Sequence, residues 1–164
     1  MKDSKGILLL LVGAIIILAG LNVVTRRSGQ SPLQNISTNQ NLKKITVAQT
    51  DVLVKVADND ATRQKGLGGV ESLPQDQGML FVFDTKQTSP GFWMKDMLIP
   101  LDFIWISNGK IVEIDTNVPP PAKGTPDEKL KVYTPIVPID YVLEVNAGFA
   151  TNNSVKVGDS VTGI

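Results

Sequence analysis

The chain has 164 residues, enough for one domain with an appended segment, and its 16 Lys and Arg balance its 16 Asp and Glu. This balance removes any whole-chain electrostatic case for nucleic-acid binding. Cysteine and histidine are both absent, which excludes disulfides, thiol nucleophiles, Cys/His zinc sites, iron–sulfur ligation and every Ser-His or Cys-His dyad.

The first predicted element is a transmembrane helix over residues 6–24, preceded by a short tail of residues 1–5. The apolar run reads GILLLLVGAIIILAGLNVV, in which Asn22 is the one strongly polar side chain, and as a helix it spans about 28 Å. A cleaved signal peptide is the alternative interpretation. Because the run is longer than a usual signal-peptide core, and no small-x-small pair lies just after it, a retained signal anchor is favoured. The sequence therefore predicts a single-pass protein of the cell membrane.

Residues 25–42 have the composition of a flexible linker, because they lack aromatic residues and are rich in Ser, Asn and Gln. Basic residues flank the apolar run on both sides, so charge alone does not fix the orientation. An apolar segment this close to the first residue usually delivers the following domain to the outside. We therefore expect an extracytoplasmic domain that the membrane holds through residues 6–24.

The predicted domain, residues 43–164, carries 12 Lys and Arg against 15 Asp and Glu, a net charge of −3. A mildly acidic domain is a poor candidate for nucleic acid, so no nucleic-acid partner is expected. Its pattern is mainly β with one or two short helices, which predicts a small sandwich or barrel-like fold. No cofactor and no metal-ligand set are expected.

Most of the domain is predicted as strands, because apolar and polar residues alternate or form short apolar runs. In chain order, the predicted strands are 45–47, 52–56, 79–83, 92–95, 103–107, 110–116, 141–146 and 156–161. The Asn108-Gly109 pair between two of them predicts a tight hairpin.

Two short helical segments are predicted, over 60–65 and 147–152. Asp58 or Asp60 is the expected N-cap of the first, and Gly66 is expected to close it. The segment 118–138 contains six of the ten prolines and is expected to be a long loop at the rim of a site, since proline lacks a backbone donor.

Several blocks of the domain, in their order and spacing, resemble the family called domain of unknown function 192. The blocks are RQKGL at 63–67, GMLFVF at 78–83, FWMKDMLIPLD at 92–102, YVLEVNAG at 141–148, and Gly158-Asp159. The resemblance extends over about residues 52–161. It implies a small, mostly β domain of sandwich or barrel type, with an N-terminal anchor or signal in many members. It implies no activity, since none is established for the family.

The sequence departs from the pattern of that family at two places. Gly68, Gly69 and Val70 stand where a methionine, a glycine and an arginine are usual, and Asp96 stands where asparagine is common. Val70 therefore lacks the charge with which that arginine would contact an anion.

Polar residues within or beside apolar strands are the candidate ligand-binding residues. They are Trp93, Lys95, Asp102, Glu144 and Asn146. Strand alternation places Trp93 with Lys95 on one face, and Glu144 with Asn146. Because a buried carboxylate must be paired or hydrogen-bonded, Lys95 is the expected partner of Glu144 or Asp102, and the three are expected to converge.

Three roles for these residues stay open. In a binding or accessory domain, which is the first interpretation, Lys95 contacts an anion and Trp93 forms an apolar wall for a small ligand or an envelope protein. In an envelope hydrolase or lyase, Glu144 or Asp102 is the catalytic acid or base and Lys95 the stabilising charge. In a structural module, the three form an ion-pair network. Two converging carboxylates would also suit Ca²⁺ or Mg²⁺.

Overall fold

The computed structural model describes residues 41–87 and 90–164. The predicted tail, the predicted transmembrane helix and nearly all of the predicted linker lie outside these residues. The described residues form nine strands and two short helices, which confirms the mainly β class.

The elements follow one another closely along the chain. The strands are β1 Lys43–Val47, β2 Thr50–Ala57, β3 Gln77–Gln87, β4 Phe92–Trp93, β5 Leu101–Ser107, β6 Lys110–Val118, β7 Val132–Tyr133, β8 Ile139–Asn146 and β9 Val161–Thr162. The helices are α1 Asp60–Lys65 and α2 Phe149–Asn152, and a 3-10 turn covers Asp127–Lys129.

Seven of these strands form one curled sheet, a half-barrel, in the order β6-β5-β8-β3-β2-β1-β9. All neighbours are antiparallel except β2 and β3, which run parallel because α1 carries the chain between them. The short strands β4 and β7 pair separately. The two edges of the curled sheet meet at Ser160. This residue forms a β-bridge with Lys110 at the start of β6, and the Ser160 carbonyl accepts the backbone N–H of Ala48, which follows β1.

The sheet is packed on both faces. All seven positions of β5 are buried. Its sequence is an almost continuous apolar run, as expected of a strand that is covered on both faces. Alternation along each strand then divides the core in two. One face, here called the closed face, includes Val54, Leu80, Ile104 and Leu143, and α2 packs on it. The other, the cavity face, includes Met79, Phe81, Phe103 and Val142, and the segments around β4 and β7 pack on it.

The hairpin predicted at Asn108-Gly109 is confirmed, with φ of 51° and 68° at the two residues between β5 and β6. Both lie in the left-handed region that a tight two-residue turn requires. Two strand predictions are largely wrong in extent: β4 ends at Trp93 rather than at residue 95, and of the strand predicted over 156–161 only Val161 lies in β9. The chain turns at Asp96 after β4, and Gly158, with φ of 94°, breaks the extended backbone before β9.

The first predicted helix is confirmed over Asp60–Lys65, and Gly66 closes it with φ of 49°. The predicted N-cap was wrong. Asn59 caps the helix, because its side chain accepts the backbone N–H of Thr62 while the Thr62 side chain accepts the backbone N–H of Asn59.

Asp102 has a structural role on the closed face. Its carboxylate is fully buried and accepts three backbone N–H groups, from Asn117 at 2.8 Å, Gly148 at 3.1 Å and Ala150 at 2.9 Å. Asn117 and Gly148 have positive φ, at an irregularity near the end of β6 and at the N-cap of α2. Asp102 therefore ties the end of β6 and the start of α2 to β5 without any cation.

We expect Asp102→Asn to lower the free energy of unfolding by about 2–4 kcal/mol. An amide has only one acceptor oxygen, and its NH₂ group would face at least one of the backbone N–H groups that now donate to Asp102. Chemical denaturation of the full-length chain measures this loss. Asp140→Asn is the matched control, since Asp140 accepts one backbone N–H, from Asn108, at the surface. Equal losses in the two variants would contradict the structural role assigned to Asp102.

Candidate functional site

A cavity of about 790 Å³ opens on the cavity face of the sheet. Its walls come from α1 and the loop that follows it, from β3, from residues 90–97 and from the 3-10 turn. Glu144 of β8 contributes a buried carboxyl group, and Asp96 and Asp127 also line the cavity. This volume is typical of small-molecule sites.

Glu144 lies in the middle of β8, between Met79 of β3 and Phe103 of β5. Its side chain is 6% exposed, and its Oε2 atom has no hydrogen-bond partner among the described residues. Burial without a compensating charge raises the pKa of Glu144 to about 8. At neutral pH the group is therefore mostly a neutral carboxylic acid, which can both donate and accept a hydrogen bond.

The apolar wall of the cavity is built from aromatic rings. The Phe81 and Phe92 ring centroids are 4.9 Å apart, and those of Phe83 and Phe92 are 6.4 Å apart, both in edge-to-face geometry. Phe92 also meets Trp105 edge-on, at 5.4 Å. These contacts fix the rings against the sheet, so the cavity does not depend on a mobile wall.

Helix α1 supplies two basic side chains to the cavity. The Arg63 guanidinium donates to the carbonyl of Val82 at 2.8 Å and to Asp60 at 2.7 Å, and its Cζ atom lies 5.8 Å from the centre of the Phe83 ring. Lys65 donates to the carbonyl of Gly68 at 2.7 Å. The helix is held to the sheet largely through Arg63, because none of its residues is buried.

The segment after β4 forms the opposite wall. Phe92, Met94 and Met97 are buried, whereas Trp93 is 46% exposed and Lys95 is partly exposed. The Lys95 ammonium lies 5.8 Å from the centre of the Trp93 ring. It also forms an ion pair with Asp127 of the 3-10 turn, and this hydrogen bond raises the pKa of Lys95.

Asp96 has a φ of 57°, a left-handed conformation that asparagine and aspartate adopt more readily than most other residues with a side chain. Its carbonyl accepts the backbone N–H of Gly69 at 2.8 Å, which joins this wall to the loop after α1. The backbone at this position therefore suits both the aspartate of this chain and the asparagine of the family pattern.

The structure places the five predicted ligand-binding residues differently: three line the cavity, and the other two have structural contacts. Glu144, Lys95 and Trp93 all line the cavity. Asp102 does not join them, because it pairs with Val145 and so lies one residue out of phase with Glu144, on the closed face. Asn146 is used structurally, since its amide donates to the carbonyls of Leu73 and Pro74 at 2.9 and 3.1 Å.

The predicted convergence of Lys95, Asp102 and Glu144 is therefore wrong. The ammonium of Lys95 pairs with Asp127 rather than with either predicted carboxylate, and Asp102 is satisfied by backbone donors. The predicted structural ion-pair network of the three is absent for the same reason. No group of three or more Asp and Glu side chains in residues 41–87 and 90–164 is placed to hold a metal ion.

Sequence reasoning missed several residues of the cavity. They are Arg63, Lys65, Phe81, Phe83 and Asp127. Arg63 and Lys65 belong to a block of the family pattern, but the sequence around them predicts only a helix and its end. The expectation that segment 118–138 forms a rim is met at Asp127. Nothing in the sequence marked that aspartate, because its ion pair depends on the tertiary fold.

No helix in the described part of the chain is both long and apolar enough to cross a membrane.

The fold and the cavity together define a small mainly β domain with a partly enclosed, mixed apolar and basic site. A family model covers residues 43–163, and the chain belongs to that family, DUF192, described as an uncharacterized ACR.

Two solved structures are similar to this chain. One is a candidate transcription regulator from Sinorhizobium meliloti, with 28% sequence identity and a TM-score of 0.65, covering 74% of this chain and 95% of that protein. The other is a protein of unknown function from Novosphingobium aromaticivorans, with 27% identity and a TM-score of 0.64, covering 72% of this chain and 82% of that one. No curated protein matches the sequence.

We expect Glu144→Gln to be increasingly stabilising, relative to the native chain, as the pH rises from about 4.5 to about 8. In this window the unfolded chain releases the Glu144 proton and the folded chain keeps it, so native stability falls with pH. The variant lacks this term, which amounts to roughly 3–5 kcal/mol over the whole window.

Urea unfolding of both proteins across this pH range measures the difference. Glu71→Gln is the matched control, because it removes a carboxyl group that is exposed. A difference between Glu144→Gln and the native chain that does not change with pH would contradict burial of Glu144 as an acid.

Proposed function

We propose that this domain is a small-ligand-binding or accessory module and that its ligand occupies the cavity above Glu144. The single observation that carries the proposal is the Oε2 atom of Glu144, which is buried at the cavity without a hydrogen-bond partner among the described residues. Buried polar groups are normally satisfied, and each exception needs a reason. A ligand that completes this hydrogen bond supplies one.

The energetic comparison with Asp102 supports a functional interpretation of Glu144. Both carboxyl groups are buried in neighbouring strands, yet Asp102 accepts three backbone N–H groups and Glu144 has its pKa raised by burial. Burying this carboxyl group without hydrogen-bond donors lowers the stability of the folded chain near neutral pH. A glutamine or an apolar residue at position 144 would avoid this loss of stability. Sites at which stability is lost in this way are typical of binding and catalytic residues.

The cellular setting is part of the same proposal. The apolar run at residues 6–24 supports a single-pass signal anchor, and the polar stretch at 25–42 supports a flexible tether to an extracytoplasmic domain. An envelope protein is a further partner in this setting. Trp93 and Val132 pair across β4 and β7 beside the cavity, and their exposed side chains would be available to contact such a protein.

Transcription regulation, which the name of the Sinorhizobium meliloti protein suggests, is not proposed for this chain. The domain carries a net charge of −3, whereas a nucleic-acid-binding domain usually shows a basic face. Two of the three basic residues at the cavity are also engaged locally, with Arg63 paired to Asp60 and Lys95 paired to Asp127.

A second candidate function is an envelope hydrolase or lyase in which Glu144 is the acid or base. One observation favours it: the pKa of Glu144, raised to about 8, is close to the optimum for proton transfer at neutral pH. Asp102 is no longer a candidate for this role, because its lone pairs are used by backbone donors. Turnover of a bound ligand, lost in Glu144→Gln while binding persists, would favour the enzyme over the binding module.

A thermal-shift screen of the full-length chain against sugars, peptides, organic acids and metal ions tests the binding proposal. We expect at least one compound class to raise the Tm. The rise should disappear in Glu144→Leu, which replaces the carboxyl group with an apolar side chain of similar size. Lys44→Ala is the control, because Lys44 pairs with Asp51 on β1 and does not line the cavity. Shifts that survive in Glu144→Leu would contradict the proposed site.

Fractionation of a bacterial host that expresses the full-length chain tests the tether. We expect the chain in the membrane pellet after alkaline extraction and, in osmotically opened cells, digestion of the domain by added protease. A variant without residues 6–24 should move to the soluble fraction. Recovery of the intact chain in the soluble fraction, or protection from the protease, would contradict the anchor or its orientation.

A further inference from the structure

The charged side chains around the cavity are unevenly compensated. Arg63 is paired with Asp60 and Lys95 with Asp127. Among the described residues, Lys65 has no carboxylate partner, and its ammonium donates only to the carbonyl of Gly68, at 2.7 Å. A single neutral carbonyl leaves two of the three N–H donors of a lysine available. Lys65 is therefore a cation that is ready to accept an anion.

The cationic side chains of the cavity differ in their partners. Arg63, Lys65 and Lys95 line it together with the carboxylates of Asp96 and Asp127, and Asp60 pairs with Arg63 from outside the lining. The charges of this group balance overall, but Lys65 is the cation that has no carboxylate partner among the described residues. An unpaired cation at the cavity favours an anionic ligand and disfavours an ammonium compound.

The aromatic rings of the cavity do not reverse this preference. An aromatic cage would suit an ammonium ligand. Here the Phe83 ring already meets the Arg63 guanidinium at 5.8 Å, and the Trp93 ring meets the Lys95 ammonium at 5.8 Å. Phe81 and Phe92 pack edge-to-face against each other and form an apolar wall. The rings therefore suit the uncharged body of a ligand.

We propose that the cavity binds an organic carboxylate that also carries an uncharged oxygen. The ligand carboxylate pairs with Lys65, the apolar body lies against Phe81 and Phe92, and the uncharged oxygen completes the hydrogen bonding of Glu144. This assignment rests on the proposed function, since it names the ligand class of the same cavity. It makes Lys65, rather than the predicted Lys95, the residue that contacts the anion.

Three probes of nearly equal size separate the possible charges of the ligand: para-hydroxyphenylacetate is an anion, tyrosol is neutral and tyramine is a cation. All share a phenol oxygen and a short side chain. Isothermal titration of the full-length chain at about pH 6 is expected to rank them in that order, with the anion about tenfold or more tighter than tyrosol.

Variants assign the two contacts. Lys65→Met keeps the alkyl stem and should reduce anion binding to the level of tyrosol, while leaving tyrosol unchanged. Lys44→Met is the matched control, and it should change neither. Glu144→Leu should weaken all three probes, whereas Glu144→Gln should keep most of the affinity, because an amide also donates and accepts a hydrogen bond.

The dependence on pH gives a readout that a merely structural role of these residues would not produce. At about pH 9 Glu144 is largely ionised, and its charge repels an anion and attracts a cation. The groups that line the cavity with it are Arg63, Lys65, Lys95, Asp96 and Asp127. We therefore expect anion affinity to fall between about pH 6 and about pH 9 in the native chain and to stay nearly constant in Glu144→Gln.

The outcomes separate this inference from the proposed function. Tightest binding by tyramine or tyrosol, lost in Glu144→Leu, would overturn the carboxylate class and leave the ligand site intact. Anion binding that survives Lys65→Met would overturn the role of Lys65. Absence of binding by all three probes at millimolar concentration would overturn the inference and count against the proposed function as well.

Discussion

The arrangement of this domain depends on the register between β8 and its two neighbours. Because side chains alternate along a strand, the pairing of Glu144 with Met79 and Phe103 places its carboxyl group on the cavity face, among apolar residues. A slip of one residue would send that group to the closed face and leave the cavity without its acid. In this register β3 and β8 approach each other closely at Gly78. A Cβ atom at Gly78 would lie 2.5 Å from the Glu144 carbonyl oxygen, so only glycine fits there.

The two buried carboxyl groups of the sheet show how similar residues acquire different roles. Asp102 accepts three backbone N–H groups from the end of β6 and the start of α2, so both of its oxygens have hydrogen-bond partners. Glu144 has no comparable donors in the described part of the chain, and burial favours its neutral form. The first group stabilises the fold and the second is available to a ligand. Burial alone does not distinguish them, whereas the number of donors around each oxygen does.

Membership of DUF192 and the two similar structures establish the fold but no activity, so the argument for function depends on the site itself. The cavity combines a neutral acid, a wall of fixed aromatic rings and a lysine without a carboxylate partner. These three features together favour a ligand with an apolar body and two polar ends. The paired cations Arg63 and Lys95 have a different task, since each connects one wall of the cavity to a neighbouring segment.

The sequence by itself determined the mainly β class, the helix at Asp60–Lys65 and the hairpin at Asn108-Gly109, because these follow from local patterns of two to six residues. It also singled out Glu144, Lys95 and Trp93, since polar or exposed residues beside apolar strands are conspicuous. Only the tertiary structure decided that Asp102 lies on the opposite face, that Asp127 pairs with Lys95 and that Lys65 enters the cavity. The physical reason is that sheet register and contacts between distant segments fix these positions, and neither is encoded by the local alternation of residues.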